Sequence, residues 1–401
     1  MIDRSTAMRW LIILMINLAV LEIASFLAVT GLGIVSPDRR WDLFLDNELS
    51  GVSDATVSNF LARQYDTELG WDNVPSSQGG SRNILNAPWI ATYDAKGART
   101  SCMAAATDDG DAIIASYGDS FTHGDEVNND ATWQCALERR IRRRVVNYGV
   151  AAYGVDQAVL KAERHWRQGR IAPITLLCVY ENDLDRALNR YRPFLSPHTG
   201  AKLGFKPSFR MIGNNVVFLP NPLRRDVVTV KEVKALAVSL IPTDYWASSA
   251  GRVLPNFPYS MQLFGTAFRA TERKLNTLHF SDNIWDIPEG RDVMLHILGE
   301  FAGVAKQYGT RPVLLMIPDV SRWKGGRVAP AYKTFLRTAL AKAQPQLLTI
   351  DIADFRFDER EFNLMPFRGH PSAHGNEIVA NAVLDGLTDA GVSVLDATRT
   401  R

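Results

Sequence analysis

Residues Ile113 to Glu126 read IIASYGDSFTHGDE, and the reading of this stretch decides the fold. An apolar run, Ala112 to Ala115, meets Gly118-Asp119-Ser120, and a polar turn bearing Gly124 follows. This is the pattern of a buried strand ending in a sharp turn with a small hydroxyl residue at its tip. In open α/β sheets, ligands sit beyond the carboxyl ends of the strands, so a serine at that tip is placed to act as a nucleophile. An unassisted serine hydroxyl is a poor nucleophile. It needs a base for its proton and N–H donors for the oxyanion that forms.

Outward from this stretch the chain alternates strand and helix. The apolar runs predict strands at 112–117, 144–148, 174–180, 311–317 and 347–352. Helical spacing predicts helices at 131–142, 155–167, 291–308, 331–343 and 374–387. Strands alternating with helices imply a mainly parallel sheet covered on both faces, an α/β/α sandwich. Residues 187–289 break the rhythm with Pro, aromatics and weak periodicity, and read as an insertion that shapes or covers the site. Residues 37–110 form a lead-in with patchy helical spacing at 42–64, turn-rich stretches and a strand at 87–93. The organisation expected is 1–36, 37–110 and a domain at 111–395 that carries the insertion.

Three further stretches fit the helper roles. In Val146-Asn-Tyr-Gly-Val-Ala-Ala-Tyr-Gly-Val-Asp-Gln157, a strand gives way to a small-residue turn that can expose backbone N–H groups. Val179-Tyr-Glu-Asn-Asp183 ends the most apolar strand with a polar amide. In Gly369-His-Pro-Ser-Ala-His-Gly375, just before the last helix, either histidine could be a general base.

These four stretches, in this order over about 112–387, resemble the blocks of the SGNH (GDSL-type) hydrolases. Residues 118–120 resemble the nucleophile block and 147–157 the oxyanion-glycine block. Residues 181–183 resemble the asparagine block. His370-Pro371 with Gly375 resembles the block of the catalytic histidine. The lead-in, with Leu69-Gly-Trp71, resembles the extension of membrane-anchored bacterial members. The resemblance implies a flavodoxin-like sheet, with Ser120 as nucleophile and His370 as base and then acid. It also implies an oxyanion hole made by Ser120, Ala152 and Asn182.

Two positions depart from that pattern. Ala152 stands where the family has glycine; it keeps the N–H but adds a Cβ that disfavours φ > 0. Phe367 stands where the family has an aspartate, and the acids upstream, Asp358, Glu359 and Glu361, lack the spacing. An acid from elsewhere, a Ser–His dyad oriented by a carbonyl, and lost activity all stay open. Asp119, His123 and Tyr153 are the remaining candidates for the pocket. The plain alternatives are a turn serine that caps a helix, an asparagine closing a strand and a loop histidine.

Composition narrows the classes. Of 401 residues, 46% are hydrophobic and 22% charged, with net charge +2, which implies no polyanion partner. The run Arg139-Arg-Ile-Arg-Arg-Arg144 reads as a solvated helix end favoured by the macrodipole rather than a nucleic-acid patch. No Walker loop, GxGxxG after a strand or HExxH occurs, so neither a cofactor nor a metal is expected. Cys102, Cys135 and Cys178 form no CxxC pair. Cys178 reads as a core residue, and whether Cys102 and Cys135 pair in an oxidising compartment is left open.

The apolar run from Trp10 to Val35, with Glu22 as its one interior charge, is long enough to cross a membrane. A cleaved signal peptide is the rival, but the run is long for one and no small-x-small site follows. The expectation is a single-pass inner-membrane anchor with the bulk of the chain outside the cytoplasm, in the periplasm. The function expected is an esterase or O-acyltransferase working through an acyl-serine, on acylated cell-surface carbohydrate. A catalytically degenerate member that binds carbohydrate or a partner protein is the alternative.

Overall fold

The computed structural model describes residues 3–31, 40–100, 102, 112–250, 252–265, 285, 287–327, 330 and 332–392. Five strands form one sheet: β1 (Ala112–Tyr117), β2 (Arg144–Asn147), β3 (Ile174–Tyr180), β4 (Arg311–Ile317) and β5 (Leu348–Asp351). β1 is buried at all six positions and β3 at six of seven, as strands covered on both faces must be. Every pairing is parallel. Ile114 lies beside Ile174, Ile174 beside Arg311, and Val313 beside Leu348. Read from the edge, the order is β2-β1-β3-β4-β5. This is the flavodoxin-like winding, whose ligand crevice opens where the order reverses, between β1 and β3.

Helices α2 (Trp133–Ile141), α3 (Val155–Arg167), α4 (Pro288–Gln307) and α5 (Ala373–Asp389) cover the sheet. α2 and α5 pack together over one face, where Trp133, Leu137, Val379 and Val383 join Ile114, Leu176 and Leu315 in the core. α3 and α4 cover the other face, with Trp166 against Phe301. The helix expected over 331–343 is interrupted: α-helical Tyr332–Phe335 passes into a π turn at Leu336–Leu340. Residue 331 lies outside the described residues. The basic run ends α2 as expected, with Arg139 and Arg140 paired to Glu377 of α5. Cys178 is buried in β3, and Cys102 and Cys135 form a disulfide.

The chain divides into two units. One comprises residues 1–58, 191–203 and 226–282; the other comprises 59–190, 204–225 and 283–401. Parts of the lead-in and of the insertion therefore belong with the sheet, and 266–284 of the insertion lie outside the described residues. In the sheet unit, Gln78–Arg82 and Pro88–Thr92 form a hairpin. In the same unit Lys206 reaches Asp156 at the start of α3, a pair with both side chains fully buried, Nζ to Oδ2 2.5 Å. In the other unit, α1 (Arg4–Thr30) contains one stretch, Ser5–Thr30, that is long and apolar enough to cross a membrane.

Candidate functional site

The nucleophile stretch folds because its polar groups close on themselves. Asp119 caps the short helix Ser120–His123, its Oδ1 accepting from Phe121 N at 2.8 Å. The Asp119 Oδ2 accepts from Arg186 at 2.9 Å and faces Ser120 Oγ at 3.4 Å. Gly118 is required here: a Cβ would stand 2.6 Å from the Cys178 carbonyl. Ser120 therefore sits at the carboxyl end of β1, 6% exposed.

The turn after β2 is stitched to this stretch. Tyr148 N donates to Ser116 O, Val150 N to Gly118 O and Asn147 Nδ2 to His123 O. A Cβ on Gly149 would lie 2.3 Å from His123 N, so only glycine allows this approach. Ala152 follows with φ +65°, the left-handed conformation that its Cβ disfavours. Neither the Ser120 nor the Ala152 N–H donates to a backbone acceptor among the described residues.

His370 arrives on a hairpin, Asn363–Met365 paired with Arg368–Pro371, ahead of α5. Its Nε2 lies 2.9 Å from Ser120 Oγ. Its Nδ1 lies 2.7 Å from Glu126 Oε2, which also accepts from the His370 backbone N–H at 2.9 Å. A carboxylate can only accept, so Nδ1 carries the proton and Nε2 presents its lone pair to the serine. Glu126 Oε1 is held by Ile84 N at 2.6 Å. The His370 bond is the largest influence on the Glu126 carboxyl and holds it below its usual pKa. Burial pulls the His370 imidazole down, but the Glu126 bond and the charges of Asp125, Glu126 and Asp119 outweigh burial and raise it.

Glu126 is the acid that sequence reasoning missed. Phe367, at the position where the resemblance implies an acid, takes φ +61° in the hairpin turn, and the upstream acids are turned elsewhere. Asp358 caps the turn at Arg360, Glu359 faces Arg327 and Glu361 faces His374. The signal was present in the quoted stretch itself, which closes on Asp125-Glu126. Glu126 takes φ +70°. The loop around it is clamped by Arg99, whose Nη1 donates to the His123 and Gly124 carbonyls and Nη2 to that of Val127. Burial pulls the Arg99 pKa down to about 10.

The other candidates each have partners of their own. Asn182 Nδ2 donates to Asp319 Oδ2 at 3.2 Å, and its Oδ1 accepts from Arg322 at 3.1 Å. Its amide is thus held between the ends of β3 and β4. His123 is held at both ring nitrogens. It is 2% exposed, with Nδ1 at Asp125 (2.5 Å) and Nε2 at the Tyr93 hydroxyl (2.8 Å). Tyr153 is fully buried and donates to the Trp71 carbonyl, so it supports the turn from behind. Asp119 is 1% exposed and acts as a cap and an Arg186 partner.

A hydroxyl bonded to an imidazole whose far nitrogen is fixed by a carboxylate is the arrangement that activates an alcohol for attack on a carbonyl. Among the described residues no group of three His, Cys, Asp or Glu side chains could hold a metal ion.

No protein-family model matches the chain, and no curated protein matches it. Among solved structures, it is similar to a protein assigned to the lipolytic G-D-S-L family from Desulfitobacterium hafniense. That likeness has 13% identity and TM-score 0.35, and covers 68% of this chain and 98% of that one. It is also similar to a member of the lipolytic protein G-D-S-L family from Veillonella parvula, with 11% identity and TM-score 0.35, covering 69% and 97%.

Proposed function

We propose that this protein is a serine ester hydrolase or acyltransferase acting through Ser120, His370 and Glu126. The observation that carries the reading is the hydrogen-bonded line from Ser120 Oγ to His370 Nε2 and from Nδ1 to Glu126. Ser120 Oγ attacks the ester carbonyl and its proton passes to Nε2. The oxyanion is received by the Ser120 and Ala152 N–H groups, which lack backbone acceptors among the described residues. The tetrahedral adduct collapses as His370 returns the proton to the leaving alcohol, and an acyl-serine remains. Attack by water gives an esterase; attack by a sugar hydroxyl gives an O-acyltransferase. Glu126 keeps the imidazole in the productive tautomer and stabilises its cation.

The substrate proposed is an acylated cell-surface carbohydrate, met outside the cytoplasm by a domain that α1 tethers to the inner membrane. The apolar length of α1 and the Cys102–Cys135 disulfide support that placement. One observation favours a binding protein without turnover instead, namely that the Asn182 amide is engaged by Asp319 and Arg322.

A fluorophosphonate probe separates the two. Wild type should label, and Ser120→Ala and His370→Ala should not. A folded wild type that neither labels nor turns over p-nitrophenyl acetate would leave the binding reading standing and remove the hydrolase.

A further inference from the structure

The carboxyl-terminal part of α1 is not bare. Ser25, Ala28 and Val29 are buried, and Val29 packs with Val253 and Leu263. Phe26 meets Tyr259 edge to face, with ring centroids 5.0 Å apart. The covering segment, 252–265, turns helical at 259. Glu22, the one charge inside the apolar run, accepts from Tyr259 N at 2.6 Å, from Ser260 N and from the Ser260 hydroxyl. The carboxylate and the first N–H groups of that helical turn thereby satisfy each other, as both must where water is absent.

The other side of the same segment is apolar and uncovered. Phe257 is 72% exposed, Met261 69% and Phe264 67%, among the most exposed large hydrophobics of the chain. Met261 and Phe264, three residues apart on the helical turn, share a face, and Phe257 precedes them by one turn. Three such side chains in water form an apolar patch that calls for a partner. Its position along α1 says which. The stretch from Trp10 to Thr30 measures about 31 Å at about 1.5 Å per residue, close to the roughly 30 Å of a bilayer core. Glu22 stands eight residues, about 12 Å, before the end of that stretch.

We infer that residues 257–264 enter the same bilayer that α1 crosses, with Phe257, Met261 and Phe264 against the acyl chains and Ser260 turned inward to Glu22. The protein then holds its membrane by a span and a second, shallower wedge. Arg40 and Arg252 suit the headgroup level above it. Arg40 donates to the Thr30 carbonyl at the end of α1, and Arg252 lies over the Trp41 and Phe44 rings. This inference rests on the reading of α1 as a membrane span.

The test is site-directed spin labelling of the full chain in phospholipid nanodiscs, at one introduced cysteine at a time. Cys178 is buried and Cys102 and Cys135 are bonded, so an introduced thiol is the site that labels. Met261→Cys and Phe264→Cys report the wedge, Leu14→Cys the span and Lys231→Cys exposed protein. Each replaces an exposed side chain, so folding is not at stake. The expected result is a ratio of oxygen to nickel-chelate collision rates several-fold higher at 14, 261 and 264 than at 231. A lipid-like ratio at 14 with a water-like ratio at 261 and 264 would overturn the wedge and leave the span. A water-like ratio at 14 would overturn the span, and the wedge with it.

Discussion

At the scale of single residues, Glu126 and Ala152 carry the sharpest consequences. With Glu126→Gln, the amide can offer its N–H to Nδ1 and so favour the wrong imidazole tautomer; kcat should fall on the order of 10²- to 10⁴-fold. The pH profile separates this from a structural effect. Since the pKa of His370 is raised above 6.5 and the base must be neutral, the rising limb of kcat/KM in wild type should lie above pH 6.5. Removing the Glu126 charge takes away part of what raises the imidazole, so the limb of the variant should move to lower pH. The same pair supports the fold in a defined window. The lowered Glu126 pKa contributes stability above pH 4.5, lost as pH falls through its folded value. The raised His370 pKa contributes below pH 6.5, lost as pH rises through its folded value. Both contributions are therefore complete between about pH 4.5 and 6.5. Ala152, held at φ +65°, bears strain of about 1 kcal/mol or more. Ala152→Gly relieves it while keeping the N–H, against about 0.5–1 kcal/mol of extra chain entropy in the unfolded state. We expect unchanged or slightly raised stability by denaturant titration, and retained kcat. A large loss of kcat would show that the Cβ itself shapes the site.

At the scale of elements, the hairpin 363–371 explains both what the sequence revealed and what it hid. The parallel strands were legible because strands buried on both faces must be continuous apolar runs, and three of the five match their predicted bounds. The turns at Gly118 and Gly149 were legible because close backbone approaches leave glycine in the sequence. The partner of His370 was not, because a contact between residues 126 and 370 is made by folding and has no local period or spacing. The local spacing pointed instead to Phe367, which follows Pro366 in the hairpin turn at φ +61°, where its side chain packs against the core. Adding Phe367→Asp to Glu126→Gln should therefore fail to restore kcat; recovery would mean that the turn can rearrange to supply the acid. The glycine five residues after His370 has a mechanical reason. A Cβ on Gly375 would lie 1.9 Å from the Phe362 carbonyl, which also accepts from Ser372 N. Gly375→Ala must push α5 away from the hairpin. It should cost about 1–3 kcal/mol in denaturant titration and lower kcat more than it changes KM, since His370 rides on that hairpin. An unperturbed midpoint would mean that the two elements can separate freely.

At the scale of the whole molecule, the sheet unit is closed by a covalent tie that the hydrophobic core does not supply. The Cys102–Cys135 bond spans 33 residues, and those residues include β1, Ser120 and Glu126. It joins the segment leading to β1 to the first turn of α2, whose Trp133, Ala136 and Leu137 belong to the main core. Closing a loop of this size restricts the unfolded chain by about 3–4 kcal/mol in the entropic description. Neither sulfur contacts the Ser120–His370–Glu126 line, so stability and chemistry should respond separately. With the disulfide reduced, or in Cys135→Ser, the unfolding midpoint should fall by several degrees, at about 2–4 °C per kcal/mol for a unit of this size. The rate measured well below that midpoint should stay close to wild type, and fluorophosphonate labelling of Ser120 should persist. A midpoint that ignores reductant would mean that α2 and the core already fix the loop, while loss of labelling at low temperature would mean that the bond holds Glu126 in place as well as the fold.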